Sequence, residues 1–457
     1  MAEQRLIVIS NRIPTEEEPS GGLVVALHDC LNARGGIWIG SSGGPVEQPR
    51  AGLTKIAEGN YTRYTFDLSR EEYDTYYLGY SNAVLWPVFH RRADLMQVRP
   101  GYAQGYLDVN ARVADMVAEF AGPDDTLWVQ DYHFLPLAAM LRERGVQSRI
   151  GFFLHIPFPE ASHVPALPDA QNICSWVASY DVFGLQTEAD VERCENLFRH
   201  ECPSFIESDG TISVAGRRCR PMACPIGIDA EGYRATAEKS KVGKRLFMHK
   251  GQKLVLGVDR LDYSKGLVQR FEGFGAYLGR RSNTDEPATL LQVAPPSRQD
   301  VDAYKDMRMQ LDLTAGSING DYGEIDWTPI RYVRRSLPRD ELAGLYRRAD
   351  AVMVTPLADG MNLVAKEFVA AQDPEDPGVL ILSHFAGAAE QLTDALLVNP
   401  YDADEMAAAL ERALTMPLEE RKARHARLWE NVRDEDVDWW TGRFLGALCQ
   451  PRAVEAA

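Results

Sequence analysis

TPLADGMNLVAKEFVAA, residues Thr355 to Ala371, is the stretch that decides the fold. The run before it, Ala351-Val-Met-Val354, is continuously apolar, as in a strand buried on both faces of a parallel sheet. After a Pro-containing polar loop the apolar spacing turns helical from about Asn362. Asp359 and Glu367 therefore flank a strand-to-helix turn at a carboxyl edge, where open α/β sheets bind ligands. Gly360 is expected to supply the tight backbone, and the new helix offers unpaired N–H groups and the positive end of its dipole. An ordinary βα connection would carry the same pattern, so the neighbouring segments decide.

Those segments repeat it. Lys253 to Val258 is an apolar run that exits into Asp259-Arg-Leu-Asp-Tyr-Ser-Lys-Gly266, ahead of a helix from about Leu267. Arg260 and Lys265 beside a glycine and a helix start favour an anionic ligand. Leu290 to Val293 exits into Ala294-Pro-Pro-Ser-Arg298, and Ile330 to Val333 and Val379 to Leu382 are further strands. A polar, Lys-rich helix is expected over Ala237 to His249, and amphipathic helix over Ala403 to Leu448, with Trp429, Trp439 and Trp440 as packing residues.

The first half of the chain reads the same way. Arg5 to Ser10 is a strand; its exit loop carries Arg12, then Gly21-Gly22 and a helix from Leu23 to about Leu31. The GxGxxG fingerprint is missing, which disfavours an NAD-dependent oxidoreductase. Ile37 to Gly40 and Tyr61 to Phe66 are strands, and Ser81 to Pro87 is an aromatic-rich segment suited to packing or to lining a pocket. Leu127 to Val129 exits into Gln130-Asp131-Tyr132-His133, Ile150 to Leu154 into His155, and Val182 to Leu185 into Gln186-Thr187-Glu188. The expected class is α/β, two Rossmann-like doubly wound domains at 1–232 and 233–435, with a helix in 436–457 packing back on the first.

Composition agrees. A chain of 457 residues exceeds one ordinary core, and 45% hydrophobic with 25% charged residues is globular usage. The formal net charge of -17 argues against nucleic acid and anionic membrane as partners but leaves room for a local anion site. Seven cysteines lack metal-ligand spacing and read as thiols. The opening MAEQRLIVIS runs directly into a strand, so a cytoplasmic protein is expected.

Arg12, Asp131, His155, Arg260, Lys265, Arg298, Asp359 and Glu367 thus form the polar inventory of the strand ends. No D-x-D between strands suggests a metal-held pyrophosphate and no Lys stands in a Walker A context, so Arg260, Lys265 and backbone N–H groups would meet a diphosphate. Glu367 suits the two hydroxyls of a ribose. No metal and no cofactor are expected.

The segments LIVISNR (6–12), SGG (20–22), SNAVLWP (81–87), VQDYHFLPLA (129–138), GFFLHIPFP (151–159), DRLDYSKGL (259–267), APPSR (294–298), TPLADGMNLVAKE (355–367) and LSHFAGAAEQL (382–392) resemble the trehalose-6-phosphate synthase family, in order, over roughly residues 5–445. The resemblance implies a GT-B fold, its domains facing across a cleft, and transfer of glucose from a nucleotide-glucose, UDP-glucose first, to glucose 6-phosphate with retained configuration. It implies that Arg12, Tyr77, Trp86, Asp131 and Arg298 serve the acceptor. Gly21, Gly22, Arg260, Lys265, Leu337, Asp359, Leu363, Val364, Ala365, Lys366 and Glu367 would serve the donor. His155 and Asp359 would hold the donor glucose and, with Arg260 and Lys265, act in catalysis. Three departures stand out: Ser41 replaces a Trp of the family's WxGWxG run, the loop Pro14 to Ser20 is short and acidic, and Leu337 stands where an aromatic is often found. Ser41 keeps open another phosphorylated acceptor, as in glucosylglycerol-phosphate synthase; a non-catalytic sugar-nucleotide-binding regulator is the reading from another class. A homo-oligomer is left open.

Overall fold

The computed structural model describes residues 5–14, 22–241, 251–280, 287–297 and 302–450. They form two compact units: one runs up to Ile226 and resumes at Val437, the other is Gly227–Asp436. The divide thus lies at 226/227, six residues before the boundary read from the sequence.

Unit 1 holds a sheet of ten strands: β1 Leu6–Arg12, β2 Ile37–Ser41, β3 Thr54–Glu58, β4 Thr62–Phe66, β5 Thr126–Gln130, β6 Arg149–Phe153, β7 Val182–Leu185, β8 Phe205–Ile206, β9 Ile212–Val214 and β10 Arg217–Ala223. Their order is β3-β4-β2-β1-β5-β6-β7-β10-β9-β8. From β4 to β10 every pairing is parallel; β3 and the β8-β9-β10 ribbon add antiparallel edges. The order reverses direction between β1 and β5, the crevice at which doubly wound sheets take ligands. Ile7, Val8, Ile9, Leu127, Trp128, Val129, Ile150 and Phe152 are fully buried. Each such side chain contributes about 1.5–3 kcal/mol relative to exposure, which fixes the register of the central strands.

The helix Val437–Leu448 belongs to this unit. Phe444 stacks on Trp128 at 4.9 Å, and Trp440 lies 5.0 Å from the same ring. β6 and β7 accommodate Phe444 through Gly151 and Gly184: a Cβ at either would come within 2.9 Å of its ring.

Unit 2 holds six parallel strands, β11 Lys253–Val258, β12 Ala288–Val293, β13 Ile330–Val333, β14 Ala351–Val354, β15 Val379–Ser383 and β16 Leu396–Val398, in the order β13-β12-β11-β14-β15-β16. This is the doubly wound dinucleotide-fold order, with its switch between β11 and β14. Each unit by itself therefore has the architecture expected from the sequence.

Several local expectations change. The helix placed at Ala237 to His249 is Ala230–Lys239, started by Asp229, whose carboxylate accepts from the Gly232 N–H at 2.9 Å; residues 242–250 lie outside the described residues. The strands β3, β8, β9, β10 and β16 went unread because they are short, edge-like or Arg-rich rather than apolar. Cys174 and Cys202 are joined as a disulfide, correcting the all-thiol reading; the helix Ala170–Ala178 and the end of Glu188–Glu201 bring their Cα atoms to 6.4 Å. Cys30, Cys194, Cys219 and Cys224 are buried thiols. Among the described residues no helix is long and apolar enough to cross a membrane.

Candidate active site

At the switch of unit 2, β11 leads through the short helical turn Tyr263–Lys265 to Gly266, which is left-handed at φ 61°. A Cβ there would meet the Thr355 carbonyl oxygen at 2.0 Å, so only glycine lets the β11 loop lie against the β14 exit. Leu357 N–H donates to the Ser264 carbonyl at 2.7 Å, tying the two loops together. This brings Lys265 Nζ within 2.5 Å of Asp359 Oδ2, with only 12% and 11% of the two side chains exposed. Asn362 Nδ2 donates to the same carboxylate oxygen at 3.0 Å. The left-handed residue of this turn is Asn362 (φ 79°); Gly360, expected to carry the tight backbone, has a negative φ. Asn tolerates that region better than other non-glycine residues because its short amide bonds locally.

Below the loops lies a cation that sequence reasoning missed. Arg270 is wholly buried, on the helix Leu267–Arg280. It donates to Asp259 at 2.6 Å, Gln292 at 3.0 Å and Thr355 Oγ1 at 3.0 Å, one partner from each of β11's exit, β12 and β14's exit. Burial pushes the Asp259 carboxyl up, and the charges of Arg270 and Lys265 act against it. The signal for this hub was a lone Arg in an otherwise apolar helix stripe.

Glu367 lies in the helix Leu363–Ala371, one turn after Leu363 and on the same face. Burial pushes its carboxyl up to about 7, against the opposing influence of the Arg339 guanidinium and the Tyr233 and Tyr346 hydroxyls. Tyr233 Oη donates to Oε2 at 3.5 Å, and Arg339 covers the Tyr233 ring at 5.1 Å. Tyr233 comes from the helix Ala230–Lys239, and Tyr346 and Arg339 from the helix Arg339–Arg348, so the three had no contiguous signature to find. Leu337, Leu363 and Val364 are half-buried, whereas Ala365 and Lys366 are wholly buried. Arg260 is exposed on the β11 loop. Arg298 and Gly21 lie outside the described residues; Gly22 begins the helix Gly22–Arg34.

In unit 1 the carboxyl ends of β1, β5 and β6 carry Arg12, Asp131 and His155. Asp131 stands at φ 71°, ψ 166°, a region close to glycine-only, and its N–H donates to the Phe153 carbonyl at 2.8 Å. Its carboxylate accepts from the His155 N–H at 3.1 Å. His155 Nε2 lies 2.9 Å from Gln130 Oε1, and burial alone pushes the imidazole down to about 3, so the ring is neutral at pH 7.

Tyr77 sits within a π-helix, Tyr73–Leu85, whose wider winding no sequence period announces. Its ring stacks on His133 at 5.9 Å and its hydroxyl accepts from Arg12 at 2.8 Å. The segment read as aromatic-rich thus continues this helix, and Trp86, nearly buried, stacks on His90 at 4.0 Å. Ser41 pairs with Arg12 across β1 and β2, and its buried hydroxyl donates to the Asn11 carbonyl at 2.6 Å. A small hydroxyl here closes onto main chain where a Trp would project a ring.

Two doubly wound sheets, with cations and carboxylates gathered at their switch points, define an α/β protein that handles phosphorylated, hydroxyl-rich ligands. The chain belongs to glycosyltransferase family 20, whose model matches residues 3–450. It is 46% identical over 460 residues to the trehalose-6-phosphate synthase of Cronobacter sakazakii, covering 99% of this chain and 97% of that relative. The synthase of Escherichia coli O1:K1 is 45% identical over 466 residues, with 99% and 97% covered. Among solved structures, the UDP-forming α,α-trehalose-phosphate synthase of Burkholderia xenovorans in complex with glucose 6-phosphate superposes with a TM-score of 0.93 at 43% identity, over 98% of this chain and all of that one. The E. coli protein bound with UDP-2-fluoro glucose gives 0.94 at 44%, again over 98% and 100%.

Proposed function

We infer that this chain transfers glucose from UDP-glucose to glucose 6-phosphate with retention, giving α,α-trehalose 6-phosphate. The observation that carries this is the full-length likeness to proteins solved with each substrate or its analogue, one with glucose 6-phosphate and one with UDP-2-fluoro glucose. The residues of the site supply a chemical rationale. In unit 2, Glu367 takes the ribose hydroxyls, Lys265 and Arg260 the diphosphate, and Asp359 the glucose; Leu337, Leu363 and Val364 lie toward the nucleoside. A bound donor would divide the Lys265–Asp359 pair, the cation turning to phosphate and the carboxylate to sugar hydroxyls. In unit 1, Arg12, with Tyr77 and Asp131, serves the acceptor.

Retention follows from which group can take the proton. His155 is held neutral and bonded, and Asp359 and Asp131 are occupied by positioning, so neither a nucleophile nor a general base behind the anomeric carbon is assigned. The leaving phosphate oxygen becomes basic as the glycosidic bond lengthens. The acceptor hydroxyl gives its proton to that oxygen and attacks the same face, while Lys265 and Arg260 stabilise the developing charge. We assign no metal to this reaction, since these two cations can meet the diphosphate; turnover should survive excess EDTA nearly unchanged. UDP-glucose and glucose 6-phosphate are charged intracellular metabolites, so we place the reaction in the cytoplasm. The test is a grid of UDP-, GDP- and ADP-glucose against glucose 6-phosphate, glycerol 3-phosphate and fructose 6-phosphate. An α-linked trehalose 6-phosphate made fastest from UDP-glucose is expected, and a β-linked product or a glucosylated peptide would overturn the mechanism.

A further inference from the structure

Unit 1 has a polar cavity at the other end of its sheet. It measures about 610 Å³ and is lined by Arg149, Val182 and Arg217, which open β6, β7 and β10, and by Ala447 and Gln450 beyond the sheet. Arg12, Asp131 and His155 stand at the carboxyl ends of parallel strands, so this cavity lies on the opposite, amino edge.

Its charge is unlike that of the chain. Five arginines face two aspartates in the lining, a balance of +3 on a protein of net charge -17. Two of the arginines build the floor: Arg142 and Arg149 both pair with Asp181, at 2.9 and 3.3 Å, and both donate to main-chain carbonyls, Arg142 to Val146 and Arg149 to Leu448. Arg218 is paired with Glu207 at 2.6 Å. Arg217 and Arg220 are different. Arg217 bonds the neutral hydroxyl of Ser179, which leaves its charge uncompensated. The exposed Arg220 side chain makes no hydrogen bond or ion pair to another described residue; hydrogen bonds from Thr211 hold the Asp209 carboxyl below its ordinary value, and the charge of Arg220 adds a smaller part. Like charges gathered on one rim repel, at a cost an anion would relieve. A guanidinium fork fits phosphate oxygens bidentately, and the volume falls within the range of small-molecule sites, about 300–1,000 Å³.

We propose that this amino-edge cavity binds a small phosphorylated metabolite, with Arg217 and Arg220 taking the phosphate. A nucleic-acid backbone would present the same oxygens, but the acidic body of the protein repels a long polyanion. The test titrates inorganic pyrophosphate calorimetrically into the wild-type chain and into the Arg217→Gln/Arg220→Gln variant. Two classes of site are expected in the wild type, and the variant should weaken one of them at least tenfold while kcat/KM for both substrates stays within twofold. Identical pyrophosphate isotherms would overturn the proposal. So would a 12-nucleotide RNA that binds only the wild type while pyrophosphate binding is unchanged. Arg220→Gln alone, at an exposed side chain that bonds nothing described, guards against a folding defect: it should still weaken the second class, and no change with a folded variant counts against the assignment.

Discussion

The carboxyl edges of the two sheets solve the same problem differently. In unit 2 the groups facing the crevice are held from beneath by one buried cation, Arg270, which joins Asp259, Gln292 and Thr355. Lys265 and Asp359 are bonded directly to each other. In unit 1 no described side chain joins three strand exits in this way. Asp131 is placed by a strained backbone, Tyr77 by a π-helix, and among the described residues the Arg12 side chain bonds only the Tyr77 hydroxyl. One edge is built by polar bonding within the core, the other by unusual main chain. The first kind of order should be lost by deleting a single side chain, and the second should be relaxed by restoring an unstrained backbone.

The largest effect expected from this difference is at Arg270. Arg270→Met leaves Asp259 buried without its partner and should destabilise unit 2 by about 3–5 kcal/mol. Asp259→Asn in the same chain should recover part of that loss. Urea unfolding followed by hydrogen exchange in peptides of β11 and β14 reads it; unchanged protection in Arg270→Met would mean that the edge is held by its loops alone.

This contrast also explains what the sequence disclosed. The residues proposed for the donor fall mostly in two contiguous runs, DRLDYSKG and TPLADGMNLVAKE, because a strand exit and the helix after it carry several of them together. The apolar strands β7 and β14 were read with their observed bounds because they are buried on both faces and so written as unbroken apolar runs. Arg270, Tyr233 and Tyr346 escaped notice because their partners are distant in sequence: Arg270 looks like a solvated cation, and the tyrosines like core, until the fold assembles. The π-helix has no period that a reading tuned to 3.6 or 2 residues detects, so Tyr77 was reached only through family resemblance. Gly360 drew attention that belonged to Asn362, since composition favours glycine wherever a turn must be tight.

A second test relaxes the strained edge. Asp131 occupies backbone space that costs a non-glycine residue about 1–3 kcal/mol. Asp131→Gly should therefore raise the stability of unit 1 while lowering kcat/KM for the acceptor, the carboxylate being gone. Asn362→Gly, in left-handed space that Asn tolerates, should gain less stability. Thermal melts of the two variants decide it: an equal or reversed gain would show that Asp131 is not under strain.

The third concerns pH. Burial pushes Glu367 up to about 7, above its ordinary value of 4.5, so its folded state holds a proton that the unfolded chain has released. The stability that Glu367 contributes therefore falls as pH rises from about 4.5 to 7, a contribution that Glu367→Gln should remove, while His155, lowered to about 3, contributes the opposite slope between about 3 and 6.5. Donor binding should run the other way, because in the proposed site the ribose hydroxyls donate to the carboxylate. Affinity should be flat above about pH 7 and weaken as pH falls below it, approaching tenfold per unit, or about 1.4 kcal/mol. His155 in unit 1, pushed down to about 3, remains neutral throughout that window and adds no slope of its own above its ordinary value of 6.5. Titration calorimetry with UDP between pH 5.5 and 8 tests this; a profile identical in Glu367→Gln would remove Glu367 from the ribose.

The smallest effect is expected at Tyr77, and it tests the weaker of the two edges. The hydroxyl accepts from Arg12 at 2.8 Å, and the ring both lies under the guanidinium at 5.5 Å and stacks on His133 at 5.9 Å. Tyr77→Phe keeps the ring, its stacking and its quadrupole, and removes only the hydrogen bond that aims Arg12. One bond to a partly exposed cation is worth about 0.5–1.5 kcal/mol, so kcat/KM for glucose 6-phosphate should fall about 2- to 10-fold. Stability should hardly move, because the buried area is unchanged. The donor KM should not move either, since Tyr77 lies in unit 1 and the cations proposed for the diphosphate in unit 2. Tyr77→Ala should behave differently, losing the stack on His133 and several kcal/mol of stability, about 3–5 for a buried aromatic ring. If Tyr77→Phe raises the donor KM as much as the acceptor KM, Arg12 does not read the acceptor. If it changes neither, Arg12 finds its position without the tyrosine, and unit 1 is held more like unit 2 than its backbone suggests.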